Sequence, residues 1–477
     1  MLFLSIIVIV VYNNLNPDQN EIIELFNSTE DISTIGMEQA LETKTKEEYI
    51  TQKVNIDSIK LYNEYKENSW QRYALKEERN SKYMQGVSIE SNKDIDKLLT
   101  DINDFELNPN TKISKKDYDI AKIKYNEYIK TLNSDNWRDF VKLKIKNLRE
   151  KKSTKNLTNK EVDAINFEIE TYELRLKHNI NFDYNMQNQY LDEYKNNYYS
   201  IQSYKTYGET QAFRNKSLNT YKAKMNLCKY AIENNLNKDI SNENNILLEN
   251  KIDARISFIR TFQHFDLIII IIAIYLSTTI ITEEVNKRTI KTLLTKPHKR
   301  RIILISKIMA CIITIMIAMI FIVIAQYVVG GVIFGFDSYK LNYIGYDFNN
   351  DKIIEMDLFR YILLAGLSKL PMYIIIIAFC IFIGTVNNHT SMSMLVTLII
   401  FIIGSKVLPE WSKVETLSVI TRYFITNNWD FSVYLFGQVS DISGVNIYSS
   451  LLLYAIYLFI LLYMSIHRFN KKEINNV

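Results

Sequence analysis

The chain has 477 residues, 47% of them hydrophobic and 23% charged, with a formal net charge of +4. So small a charge gives no basis for a nucleic-acid partner, and the length suggests more than one domain. The averages conceal a division. Residues 13–266 are polar and charged, whereas residues 267–466 are mostly Ile, Leu, Val, Phe and Tyr. The pattern G-x-x-x-x-G-K-[ST] does not occur, nor does HExxH or a Cys/His cluster, so neither a nucleotide site nor a metal site is indicated. The chain reads as a non-enzyme without a cofactor of its own. Of the cysteines only Cys228 falls in the polar part, which excludes a disulfide within it.

Residues 1–12 (MLFLSIIVIVVY) are apolar throughout. As a helix they cover roughly 18 Å, short of the ~30 Å hydrocarbon core. A signal peptide would need a basic start and a small-residue cleavage site, and this stretch has neither. It is expected to be the outer part of a first transmembrane helix that starts before this sequence does.

Residues 13–264 are expected to form an extracellular helical domain. Their apolar residues recur at helical spacing. Tyr118, Ala121, Tyr125, Tyr128 and Leu132 form one stripe, and Trp137, Val141, Ile145 and Leu148 another. Thr158 to Glu161 fits a capping box. Val162, Ile165, Ile169, Tyr172 and Leu176 then repeat every three and four residues, as in a coiled-coil seam. The stripes predict long amphipathic helices packed on one another, with breaks at Leu107-Asn108-Pro109-Asn110, Gly86 and Gly208.

Residues 265–474 carry the remaining apolar runs, with spans expected at about 265–281, 302–334, 358–383, 393–408 and 448–466. Residues 335–357 form an acidic loop without a basic excess, which belongs outside the cell. Lys369 lies within the fourth apolar run, two residues before Pro371. A charge inside a span is a functional candidate. The competing reading has residues 358–370 as an interfacial helix from which Lys369 snorkels outward, with Pro371 starting the span. Residues 409–446 are amphipathic and aromatic, as expected of re-entrant or surface-lying helices.

The chain's organising stretch lies between the second and third spans. Residues 283–307 read EEVNKRTIKTLLTKPHKRRIILISK, and Lys287, Arg288, Lys291, Lys296, Lys299, Arg300 and Arg301 make it strongly basic. A short basic loop between spans is expected in the cytoplasm. Glu283–Lys287 and Glu284–Arg288 are i,i+4 pairs in the favourable orientation. Ile290, Leu293 and Leu294 share a helix face, and Pro297 should end the helix.

These residues carry a resemblance. Thr289-Ile290-Lys291-Thr292-Leu293-Leu294, then Pro297, Arg300 and Ser306-Lys307, resemble the loop between the second and third spans of ABC-2 type transporter permeases. That pattern runs acid, Gly-Thr, Leu-Leu, Pro-x-x-Arg, Ser-Lys. Arg288 stands where the family has glycine. The end of the chain, from Phe469 through Lys471, Lys472 and Glu473 to Ile474, is similar to the end of many such permeases. The resemblance covers residues 265–474.

It implies an all-α membrane protein of six transmembrane helices, with the large coiled-coil-like domain between the first and second. It also implies a permease subunit in a bacterial cell membrane, with a cytoplasmic C-terminus and bilayer lipid around it. The partners would be a separate ABC ATPase subunit, which holds ATP and Mg, and a second permease copy or a sister permease. Glu283, Glu284, Arg288, Thr289, Ile290, Leu293, Leu294, Pro297, Arg300 and Lys307 would form the loop that couples to the ATPase. A six-span cell-surface protein, phage-receptor-like or part of a secretion apparatus, is the alternative. The coupling-like loop argues against it.

Overall fold

The structure, a computed structural model, describes residues 46–84, 94–153, 157–183, 185–204, 210–237, 240, 253–286, 300–387 and 389–471. The expected first span, the breaks at Gly86 and Gly208, and the basic loop from Lys287 to Lys299 lie outside the described residues, as do Lys472, Glu473 and Ile474.

Among the described residues eight helices build the polar part: α1 (Lys46–Glu64), α2 (Trp70–Met84), α3 (Asp94–Leu107), α4 (Lys115–Leu132), α5 (Trp137–Ser153), α6 (Asn159–Lys177), α7 (Met186–Ser203) and α8 (Gln211–Glu233). Their starts are written locally. The Ser114 side chain accepts from the Asp117 amide ahead of α4. Thr158 and Glu161 close a reciprocal capping box ahead of α6, satisfying two amides that a helix start leaves without partners. Helix α3 ends at Leu107, where the Asn-Pro turn was expected.

The stripes become two cores. In the first, Tyr128 and Leu132 of α4 meet Phe140, Val141 and Ile145 of α5, and Trp70 and Phe182 close it. The second is made by α6, α7 and α8 around Tyr190, Leu227, Cys228 and Ile232.

Five further helices are long and apolar enough to cross a membrane among the described residues: 254–283, 300–334, 358–386, 390–412 and 447–470. The first is a short α9 (Ala254–Ile259) running into α10 (Thr261–Asn286); the second is α11 (Arg300–Phe334). The third is α12 (Leu358–Val386). The fourth begins as α13 (Thr390–Ile402), makes a π turn over Ile403–Val407 and ends as α14 (Leu408–Ser412). After α15 (Glu415–Thr421) and two 3₁₀ turns, α16 (Ile447–Lys471) is the last. About half of the apolar window is buried in the first and third spans (50% and 56%), against 17–28% in the other three. So α10 and α12 form the interior, and α11, α13 and α16 keep faces free for lipid. At Gly366 a Cβ would stand 2.9 Å from Phe262, so the missing side chain lets α12 lie close against α10.

Three expectations change. Residues 335–357 are not an irregular loop: β1 (Tyr343–Asp347) and β2 (Lys352–Met356) pair antiparallel, from Tyr343↔Met356 to Asp347↔Lys352. Asp347 closes the turn by accepting from the Asn349 amide and the Asn350 side chain. Asp351 adopts φ 56°, a left-handed conformation that Asp tolerates. The all-helical reading therefore gains one hairpin. Second, Pro371 does not start a span; it sits inside the continuous α12. It removes one ladder bond, and the packing of α12 against α10 and α16 offsets that loss. Third, the helical stretch around the expected span 265–281 is longer than the apolar run, beginning at Ala254 and running on through Asn286.

Candidate functional site

A charge cluster forms where the hairpin end of the spans meets the segment between α15 and α16. Lys369 and Tyr373 are one helical turn apart on α12 and share a face. The Lys369 ammonium lies 2.5 Å from Asp430 and 3.5 Å from Asp266 of α10. The Tyr373 hydroxyl donates to the other oxygen of Asp266 at 2.7 Å. Asp430 opens the 3₁₀ turn Phe431–Gly437 and accepts from the Ser432 amide at 3.0 Å and from its hydroxyl.

Removing such ions from water costs several kcal/mol each, and only close pairing with further hydrogen bonds offsets it. Both carboxylates have that second partner. Lys369 is only 13% exposed, so it does not snorkel to the surface. The reach of its side chain is spent on a contact between three separate elements. Two carboxylates face one ammonium, which leaves the cluster with one negative charge in excess.

The opposite ends of the spans are tied differently. The Lys307 ammonium donates to the Ile280 carbonyl of α10 at 2.8 Å. Arg300 donates to the Asn470 carbonyl at the end of α16 at 2.9 Å. Thr282 and Thr390 share a hydrogen bond of 2.7 Å between α10 and α13. Glu283 is exposed and lines a cavity of about 330 Å³ with Thr279, Cys311 and Thr314.

Of the residues expected in the coupling loop, Glu283, Arg300 and Lys307 are described, Arg300 bonded to α16, Lys307 to α10 and Glu283 lining the cavity beside α11. Glu283 and Glu284 prolong α10 instead of starting a separate helix. Arg288, Thr289, Ile290, Leu293, Leu294 and Pro297 lie outside the described residues.

The polar bundle joins the membrane part at the hairpin end. Ile344 of β1 is buried in the core of α7 and α8, with Ile353 of β2 packed beside it. Asn226 donates to the Tyr346 hydroxyl at 2.8 Å, and the Tyr230 hydroxyl to Glu355 at 3.3 Å. Burial, with Asp351 beside it, pushes the Tyr346 hydroxyl up to about 12. The N-cap of α8, Thr210, donates its amide to the Lys413 carbonyl at 2.9 Å, and Lys216 pairs with Asp441 at 3.7 Å. The bundle therefore rests on the same connection, residues 413–446, that supplies Asp430.

Sequence reasoning singled out Lys369 but neither of its partners. Asp266 had a signal: it is the sole acid between Asp253 and Glu283. Asp430 had none, since an Asp next to an aromatic is unremarkable in a connecting segment.

The chain matches the family model described as ABC-2 family transporter protein over residues 82–474. The match takes in most of the polar bundle, further than the resemblance read from residues 265–474. Comparison with curated proteins and with solved structures returned no match.

Proposed function

Because the chain belongs to the ABC-2 transporter family, whose members are membrane components of ABC transporters, we propose that it is the permease subunit through which a separate ATPase drives transport. The ATPase would hold ATP and Mg and would dock on residues 283–301. A second permease copy or a sister permease would complete the pathway, with lipid against the exposed faces of α11 and α16. The basic loop and basic tail would lie in the cytoplasm of a bacterial cell, and residues 13–264 outside it.

The observation that carries this reading is the corner at the loop's two ends. Lys307 holds α11 to α10, Arg300 holds α11 to α16, and Thr282 holds α10 to α13. Force applied to the loop would reach four spans at once. A coupling element needs this property: it must bias a two-state membrane domain from a partner's nucleotide state.

The test is Leu293→Asp combined with Leu294→Asp. Docking predicts a correctly inserted permease that no longer retains its ATPase or stimulates ATP turnover. An ATPase still bound and stimulated would place the apolar patch in the bilayer surface and remove the docking role.

A further inference from the structure

A cavity of about 370 Å³ opens among α2, α5, α6 and α7 of the polar bundle. That volume is within the roughly 300–1,000 Å³ of small-molecule sites.

Its floor is ionic. Glu77 accepts from Arg175 at 2.8 Å and from Lys195. Glu78 pairs with Lys144 and accepts from the Tyr128 hydroxyl at 2.6 Å. Arg175 and Lys144 are 1% and 3% exposed, so this floor bears a desolvation cost that a packed hydrophobic floor would avoid. The floor's cations are already engaged by Glu77 and Glu78. An anionic ligand would have to compete with those carboxylates.

The rest of the lining favours the opposite charge. Glu168, Asp183 and Asp192 join the two floor acids, making five carboxylates against four cations, the ammonium groups of Lys76, Lys144 and Lys195 and the Arg175 guanidinium beneath the floor. Asp192 stands at the rim with a half-exposed side chain, 3.4 Å from the Lys195 ammonium that it shares with Glu77. Tyr73, Tyr172 and Tyr199 supply aromatic surface. The bundle's own cations already use such surface: Arg175 lies 3.9 Å above the Phe182 ring and Lys144 4.8 Å from that of Tyr128.

We propose that this cavity binds a small organic cation, an amine or guanidinium on a short carbon chain. The charge would be taken by the carboxylates and by the faces of the tyrosine rings, whose quadrupole attracts a cation, with the carbon chain lying against the ring edges. The site is independent of ATPase docking and would stand if that reading failed.

The test is isothermal titration of the full-length protein in detergent with agmatine, and with adipate as an anion of similar length. Agmatine should bind saturably and adipate should not. Asp192→Asn, at an exposed position where the fold tolerates it, should weaken agmatine at least several-fold. Adding Asp183→Asn should bring the loss to roughly tenfold or more, the scale of losing a nearby opposite charge. Unchanged helical circular dichroism verifies the fold; if the double variant loses it, the single variant decides. Absence of saturable agmatine binding at millimolar concentration, equal binding of adipate, or an Asp192→Asn variant as tight as wild type would each overturn the assignment.

Discussion

Lys369 and Asp430 are 61 residues apart in the chain and 2.5 Å apart in space. The pair joins the interior of a span to a connection on which the polar bundle also rests. Breaking it from one side leaves a charge without its partner in a dry place, which typically costs about 3–5 kcal/mol. Lys369→Met should therefore lower the melting temperature of the purified protein sharply, and Lys369→Arg much less. Asp430→Asn in the Lys369→Met background should restore part of the loss. A double-mutant cycle should show a coupling of at least ~1 kcal/mol; additive effects would mean that the contact does not hold the connection to the span.

Topology can be read with single cysteines in intact cells, in a background in which Cys228, Cys311 and Cys380 are serine. Cysteines replacing Lys299 and Lys472 should be shielded from an impermeant reagent. Those replacing Lys152 and Asp347 should react. Reaction at Lys299 would invert the orientation that the basic loop implies.

Glu77 sets an acid limit on the bundle. Burial pushes its carboxyl up, but Arg175 and Lys195 together draw it down further, to below the ordinary value of 4.5. A depressed folded value means stability that is full above the unfolded value and is lost as pH falls through the folded one. The purified full-length protein should melt cooperatively with a helical circular-dichroism spectrum near neutrality. Its melting temperature should then fall as the pH drops below about 4.5. Glu77→Gln should lower the melting temperature at pH 7 and flatten that acid slope. An unaltered slope would show that other carboxylates set it.

Ile344→Asp tests the seat of the bundle on the hairpin. It puts a charge into the core of α7 and α8, a substitution of the severely destabilising kind. Hydrogen exchange in Leu227–Ile232 should quicken while the core of α4 and α5 keeps its protection. If both quicken together, the bundle unfolds as one unit and the hairpin is part of its global stability.

Periodicity revealed what is local. Trp137, Val141, Ile145 and Leu148 are all buried on one face of α5, and the Thr158–Glu161 cap is formed, because both depend on residues a few positions apart. The ion pairs were not readable. Glu77 meets Arg175 98 residues later and Lys195 118 residues later, and no spacing rule reaches that far. The hairpin was readable in principle, since the turn Asn349-Asn350-Asp351 separates two short runs rich in Ile and Tyr. The acid count of that stretch drew attention to its sidedness instead. Pro371 reads as a breaker only locally, since a long apolar helix packed on both sides tolerates a missing bond.

Ile344 imposes a chronology on biosynthesis. The second core of the bundle is assembled from residues on α6 to α8, yet one of its buried members is encoded more than a hundred residues after Ile232, beyond two intervening spans. A nascent chain that has released α8 still has an open seat beside Leu227 and Ile232. That seat is filled only when α10 and α11 are integrated and the hairpin returns to it. Maturation of the polar part thus waits on integration of the membrane part, and a chain stalled between residues 253 and 343 would display an unfinished apolar surface to the quality-control machinery.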